Sequence, residues 1–237
     1  MFPLRDTVKS KTFPIVNLAL IIVNIFIFIF QSSLDPTEFG FLLERFGLVP
    51  ASLSLFRPLR FLTFLSSMFL HGGWFHLISN MWTLFIFGDN VEDRMGSLRY
   101  LAFYVLSGLF AGLAHLIVSD IVYGPQSAAA HIPTVGASGA IAGVLGAYFL
   151  LYPRARITTL IVIIIIPWIV RIPAIIFLGF WFLAQLFPGV SSLEGDFGGI
   201  AWWAHIGGFI FGLVMVNFFA RRQRTYAQVS GEDSWRS

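Results

Sequence analysis

The sequence contains no cysteine. Disulfide frameworks and cysteine-based metal sites are therefore excluded, and the redox compartment cannot be read from it. Charge is the second scarcity: Asp, Glu, Lys and Arg make up 11% of 237 residues, against about 25% in a soluble domain. The net charge of +3 gives no case for nucleic acid as a partner. Internal repeats are missing too, which removes support for an inverted-repeat transporter. No acidic residue lies near the histidines within the apolar runs, and the HExxH pattern is absent.

What is plentiful is apolar. The chain is 57% hydrophobic, and its mean hydropathy is +0.81. Long apolar runs recur from end to end, so the chain reads as one membrane domain rather than a soluble domain with an anchor. The expected fold class is an all-α polytopic membrane protein, a bundle of six transmembrane helices. The runs fall at about 14–30, 74–90, 98–118, 138–152, within 157–187, and 202–220. Residues 1–13 read as a cytoplasmic N-terminus, 14–220 as the membrane domain, and 221–237 as a basic cytoplasmic tail.

The first run follows Arg5, Lys9 and Lys11, as in a signal peptide. It is too long for a signal-peptide core, and Gln31-Ser32-Ser33-Leu34 is a poor cleavage site, so it reads as a retained helix. The large first loop, 31–73, is too apolar for a linker. Phe39, Phe41, Leu42, Phe46, Phe61 and Phe64 suggest amphipathic pieces lying at the interface.

The stretch 157–187 is too long for one straight crossing and carries Pro167, Arg171 and Pro173. Its β-branched run 160–166 is strand-like by propensity, yet a lone strand cannot stay unpaired in hydrocarbon. The run is expected either packed at the cytoplasmic interface or partly helical, with the crossing at about 172–187. Six spans place both termini on one side, together with Arg94, Arg99, Arg154, Arg156, Arg221, Arg222 and Arg224. The positive-inside rule makes that side the cytoplasm.

Polar groups inside spans are costly and point to function. Here they gather at His71, His76 and Asn80 near the start of span two, Ser138 at the start of span four, and His205 near the start of span six. A helix from Ser138 to Tyr152 covers about 21 Å at ~1.5 Å per residue, short of a hydrocarbon core of about 30 Å. Ser138 must then start below the outer surface. The distances from His205 to Ala220, about 22 Å, and from His76 to Glu92, about 24 Å, agree with that height.

Small residues supply closeness. Gly139, Gly143 and Ala147 on span four and Ala204, Gly208 and Gly212 on span six recur at four-residue spacing, a pattern that lets helix backbones approach in lipid. Packing alone would also explain them. A serine at a helix start is ordinarily an N-cap, but a nearby histidine would make it a nucleophile. His76 and Asn80 leave one face of their helix and can both donate hydrogen bonds to an oxyanion. Zinc held by His71, His76 and His205 is the competing reading, disfavoured without acidic ligands, and no cofactor is expected. His115 and His131 read as structural. The nearest acids to His205 are Glu194 and Asp196 in the outer loop, so a Ser–His dyad is expected rather than a triad.

At this point the sequence resembles the rhomboid family of intramembrane serine proteases, over about 60–220. The family's His-x4-His-x3-Asn stands as His71, His76 and Asn80. Its Gly-x-Ser-Gly stands as Gly136, Ser138 and Gly139, and its Ala-His-x-x-Gly-x-x-x-Gly as Ala204, His205, Gly208 and Gly212. The resemblance implies a six-helix bundle of rhomboid type and peptide-bond hydrolysis in or beside transmembrane segments of other proteins. It implies Ser138 as nucleophile, His205 as base and then acid, and an oxyanion hole from His76, Asn80 and the Ser138 N–H.

Two positions depart from the pattern. Where some members have an aromatic residue that stacks on the catalytic histidine, this chain has Ala142. Arg60 sits farther upstream of the first motif histidine than its counterpart in many members. Further expectations are a mobile lid over the site at Gly189, Gly195, Gly198 and Gly199, and entry of the substrate helix between spans two and five. The expected partners are transmembrane protein substrates and the lipid bilayer; nothing in the sequence sets an oligomeric state. A prokaryotic plasma membrane is the expected location, since an Arg- and Ser-rich leader is absent. The rival is a non-catalytic relative that only binds membrane proteins, and such relatives are expected to lack the serine or the histidine.

Overall fold

The computed structural model describes residues 1–124, 126–163, 165–192 and 202–221. The chain opens with a strand, β1 (Phe2–Arg5), and runs through α1 (Ile15–Ser32), α2 (Pro36–Phe46) and the single turn α3 (Thr63–Ser66). Then come α4 (Trp74–Met95), α5 (Ser97–Val118), the turn α6 (Ala128–His131) and α7 (Ser138–Leu151). Strands β2 (Arg156–Ile163) and β3 (Ile166–Pro173) lead to α8 (Ala174–Ser191) and α9 (Trp202–Phe219). Helices α1, α8 and α9, and the run Ser97–Ile121 that contains α5, are long and apolar enough to cross a membrane. Helix α4 follows Pro58–Phe69 across a bend of 79° and passes the same test with it, while α7 is a shorter apolar helix of 14 residues. The six long helices are those expected from the hydropathy.

The first loop does hold helical pieces, and their ends are tied down. Asp35 accepts the N–H groups of Thr37 and Glu38, and Glu38 reaches back to the Asp35 N–H. With Pro36 at the first position, this closes a capping box that starts α2. At the other end Arg60 donates from Nη1 to the Glu44 and Arg45 carbonyls, at 3.0 and 3.3 Å. That answers the C-terminal dipole of α2 and gives Arg60 a role within the loop.

Glu92 is buried. Its carboxylate accepts the backbone N–H groups of Val16 and Asn17 at 3.1 and 2.8 Å and the Ser97 hydroxyl at 2.6 Å. An acid on α4 thus caps the N-terminus of α1, where unpaired N–H groups and the positive dipole end need one. Asn17 extends the tie, donating to the Leu84 carbonyl at 3.1 Å and accepting the Tyr100 hydroxyl at 2.8 Å.

The β-branched run is neither lone nor helical. Its residues 160–163 end β2 and Ile166 opens β3, in an antiparallel sheet of order β1-β2-β3 with β2 in the middle. Arg156 pairs with Pro173 and Ile163 with Ile166 in the hairpin, and Phe2 pairs with Leu160 on the other side. Strand propensity prevailed because both neighbours supply the backbone partners a lone strand would lack. Residues 1–13 are built into the fold as well: the Trp82 indole N–H on α4 donates to the Pro3 carbonyl at 2.7 Å, and Thr12 bonds Asp93. The tail beyond Arg221 lies outside the described residues.

The core gathers around α7, which is enclosed by α4, α5 and α9 and buried from Gly139 to Tyr148. Contact of α7 with α9 runs through glycines. A methyl group at Gly208 would fall on the Gly139 carbonyl, one at Gly212 on the Gly143 carbonyl, and one at Gly146 on the Phe209 carbonyl. Small-xxx-small faces therefore bring these two backbones into van der Waals contact, as their spacing predicts.

Candidate active site

Helix α7 begins at Ser138, and its cap position, Ala137, has no side-chain hydrogen bond to offer. The Ser138 hydroxyl is turned to another use. Its Oγ lies 2.8 Å from Nε2 of His205, three residues inside α9. The glycine contacts explain that distance: Gly139 packs on Ala111 and Ala204 just after the serine, and Gly208 packs on Gly139 just after the histidine. Ser138 and His205 both remain partly exposed although their neighbours Gly139 and Ala204 are buried.

Gly136 shapes the entrance to α7. Its φ of +128° is one that a side chain would strain. Added bulk would also meet the ring of His76, since a β-carbon there would lie 2.7 Å from Nε2 and 3.6 Å from the Ser138 Oγ. The Gly136 N–H is held by the Ser67 carbonyl at 2.9 Å. His76 on α4 is thus brought beside the serine turn by the one residue type that leaves it room.

Asn80, one turn along α4 from His76, is buried, and its Nδ2 has no hydrogen-bond partner among the described residues. A buried amide donor without a partner costs about 1–3 kcal/mol, and a ligand oxygen arriving at the site would relieve it. His71 is fully buried with its ring edge-on to His76, the centroids 5.1 Å apart. Its backbone N–H and carbonyl are both taken by the Gln31 side chain, at 3.1 and 3.2 Å. That double bond fastens the turn before α4 to the end of α1.

Helix α8 supplies what the sequence reading left out. Gln185 Oε1 lies 2.8 Å from Nδ1 of His205. Trp181, one turn earlier on α8, lies beside the same imidazole with centroids 6.2 Å apart, and Trp202 meets it edge-on at 6.4 Å. The aromatic contact that Ala142 cannot give His205 comes instead from Trp181 on α8 and Trp202 on α9. A signal existed, since Gln185 interrupts an apolar run inside a span. It was uncharged and sat in the span with the least definite limits.

With Nδ1 and Nε2 both engaged, His205 has no nitrogen to spare for a metal. Among the described residues, no three His, Cys, Asp or Glu side chains are placed to hold one. His115 bonds the Thr134 hydroxyl at 2.9 Å, and His131 bonds the Ser127 carbonyl. Gly189 is buried against Ile206 and Trp202, while Glu194, Asp196, Gly195, Gly198 and Gly199 lie outside the described residues.

Residues 58–222 match the family described as the Rhomboid domain, well over half of the chain. The chain belongs to the rhomboid family. Among curated rhomboids it is 29% identical over 157 residues to Rhomboid protein 1, mitochondrial, of Saccharomyces cerevisiae, covering 65% of this chain and 40% of that one. To the Presenilin-associated rhomboid-like protein, mitochondrial, of Homo sapiens it is 28% identical over 177 residues, covering 71% and 39%. To RHOMBOID-like protein 5 of Arabidopsis thaliana it is 39% identical over 83 residues, covering 35% and 24%. The matched stretches thus span less than half the length of these relatives. What is shared is the rhomboid membrane domain, and the chain is accordingly an integral, multi-pass membrane protein.

Proposed function

We propose that the chain is an intramembrane serine endopeptidase that hydrolyses peptide bonds in or near transmembrane segments of other membrane proteins. The observation that carries this reading is the 2.8 Å contact between Ser138 Oγ and His205 Nε2. A hydroxyl becomes an effective nucleophile when a neighbouring base takes its proton. His205 is that base, and it then protonates the leaving amine.

The first N–H groups of α7 have no carbonyl partner within their own helix, and the positive dipole end lies beside Ser138. These groups suit the charge that develops on the scissile carbonyl oxygen. His76 and the unpartnered Asn80 amide complete the oxyanion hole from α4, with the Ser138 N–H as the third donor. His71 supports His76 through their ring contact.

A membrane-embedded substrate fits a nucleophile at the start of α7, because a helix of 14 residues covers only about 21 Å of a hydrocarbon core of about 30 Å, which puts its first residue below the outer surface. The substrate helix reaches the site sideways, between α4 and α8. The basic residues gathered on one side support cytoplasmic termini, and the membrane in this reading is a prokaryotic plasma membrane. The mitochondrial names of two relatives describe those proteins.

The test is labelling of the protein in detergent or liposomes with a fluorophosphonate, comparing wild type with Ser138→Ala and His205→Ala. Wild type is expected to label at Ser138, the serine variant not at all, and the histidine variant at least about a hundredfold more slowly, the lower range of general-base contributions. Labelling that persists unchanged without His205 would sink the dyad.

A further inference from the structure

We infer that Gln185 is a positioning residue for His205, a neutral amide standing where serine hydrolases with a triad place a carboxylate. The inference rests on the Ser138–His205 reading and adds a third member to it.

The argument starts from hydrogen-bond chemistry. A neutral imidazole has one N–H and one bare nitrogen, and an amide oxygen can only accept. The 2.8 Å contact of His205 Nδ1 with Gln185 Oε1 therefore requires the proton on Nδ1. Nε2 is left bare, facing the Ser138 hydroxyl at 2.8 Å. That is the tautomer a general base needs. Without an acceptor at Nδ1, nothing on the described residues selects it: His205 makes no other side-chain hydrogen bond than these two.

Geometry makes the bond durable. Trp181 and Gln185 are four residues apart and leave the same face of α8. Trp181 lies beside the imidazole and also contacts Phe209, one turn beyond His205 on α9, with centroids 5.9 Å apart. Phe182 stacks on Phe209 at 4.8 Å. Aromatic packing between α8 and α9 thus fixes the height at which Gln185 meets the ring. A carboxylate would do the same task with a full charge, but a charge inside the membrane is costly. An amide orients the ring without it. The amide has one weakness that a carboxylate lacks: turned over, it would present N–H to Nδ1 and select the opposite tautomer, with the proton on Nε2.

The consequences separate Gln185 from a residue that merely packs. Gln185→Leu removes the acceptor at similar bulk, and Gln185→Glu keeps an acceptor that cannot turn over. The experiment measures kcat and KM for a transmembrane substrate in proteoliposomes across pH, with fluorophosphonate labelling of Ser138→Ala as the control. For Gln185→Leu, kcat is expected to fall at least about tenfold, part of the ~10²–10⁴ that general-base catalysis supplies, with KM within about twofold. The acid limb of the pH–rate profile moves to lower pH in Gln185→Leu and to higher pH in Gln185→Glu, because the carboxylate favours the protonated ring. A downfield imidazole N–H resonance in ¹⁵N-histidine-labelled protein should be present in wild type and Gln185→Glu and lost in Gln185→Leu.

If Gln185→Leu does not fold, Gln185→Glu alone decides, since an unmoved acid limb in that variant overturns the inference. Full kcat with an unshifted profile in Gln185→Leu overturns it as well. Retained labelling in Ser138→Ala would instead overturn the dyad reading, so the two failures are distinguishable.

Discussion

Single residues at the candidate site are constrained from more than one direction at once. Gly136 shows this most clearly. Its φ of +128° disfavours any side chain, and a β-carbon would strike the His76 ring. Gly136→Ala is therefore expected to cost about 1–3 kcal/mol in backbone strain. It should also slow fluorophosphonate labelling by about a hundredfold, the order of loss that an ångström of misplacement produces. Both are measured on one preparation, by thermal unfolding and labelling rate. An alanine variant that labels at the wild-type rate would show that the His76 contact is slack.

His76, Asn80, Ser138 and His205 could be named from sequence because each is a polar group in apolar surroundings at a telling position. Gln185 meets the same criterion, yet its meaning depended on a partner twenty residues away. No local pattern records such a pairing. Ala142 posed the converse problem, a small residue where support was expected. The support comes from Trp181 on another helix, and spacing along one helix cannot report on its neighbour.

At the scale of elements, the junction of α7 and α9 decides whether the site exists. Two backbones in contact leave no space for a methyl group at Gly208, which would meet the Gly139 carbonyl and the Ala142 side chain. Gly208→Ala should force the helices apart, destabilising the protein by about 1–3 kcal/mol or more, as overpacking does. The Ser138–His205 contact would be lost with the packing. Gly40 on α2, where a methyl group meets nothing, is the control: Gly40→Ala should be neutral or stabilising by about 0.5–1 kcal/mol. Equal thermal unfolding of the two variants would contradict this account of the junction.

The hairpin of β2 and β3 is the element whose form could not be settled from its own residues. Its β-branched run favours a strand, and hydrocarbon favours a helix. The choice rested on whether partners were at hand. They are, on one side from the hairpin itself and on the other from β1. The pairing of Phe2 with Leu160 joins segments far apart in the chain, which periodicity within either one does not reveal.

Across the whole molecule, a polar network ties the N-terminal segment to α7. Asp6 accepts hydrogen bonds from the Tyr148 hydroxyl, ten residues after Ser138 on α7, and from the Asn90 amide at 2.8 Å. Burial raises the Asp6 carboxyl from 3.8 to about 6, nearby Asp89 adds to the rise, and the Tyr148 bond works against it. A carboxyl whose folded value is raised favours the folded state in its protonated form. Stability from this group should therefore be greatest below about pH 4 and decline as pH rises to about 6. Asp6→Asn keeps an acceptor and removes the titration, so its thermal unfolding in detergent should lack that decline. A decline of equal size in wild type and Asp6→Asn would assign it to another group.

The sequence by itself determined the membrane class, the six long helices to within a few residues at most ends, and the polar residues gathered at three span starts. These follow from solvent physics, because an apolar run long enough to cross, and a polar group inside it, carry the same meaning wherever the chain then goes. The tertiary structure alone decided that the 156–173 stretch is a hairpin sealed by the N-terminal strand, that Glu92 caps α1, and that His205 is held by Gln185 and Trp181 of α8. Each of these depends on a contact between separate elements. Each satisfies a hydrogen-bonding or packing need that the sequence shows only as a need, until the fold brings the partner to it.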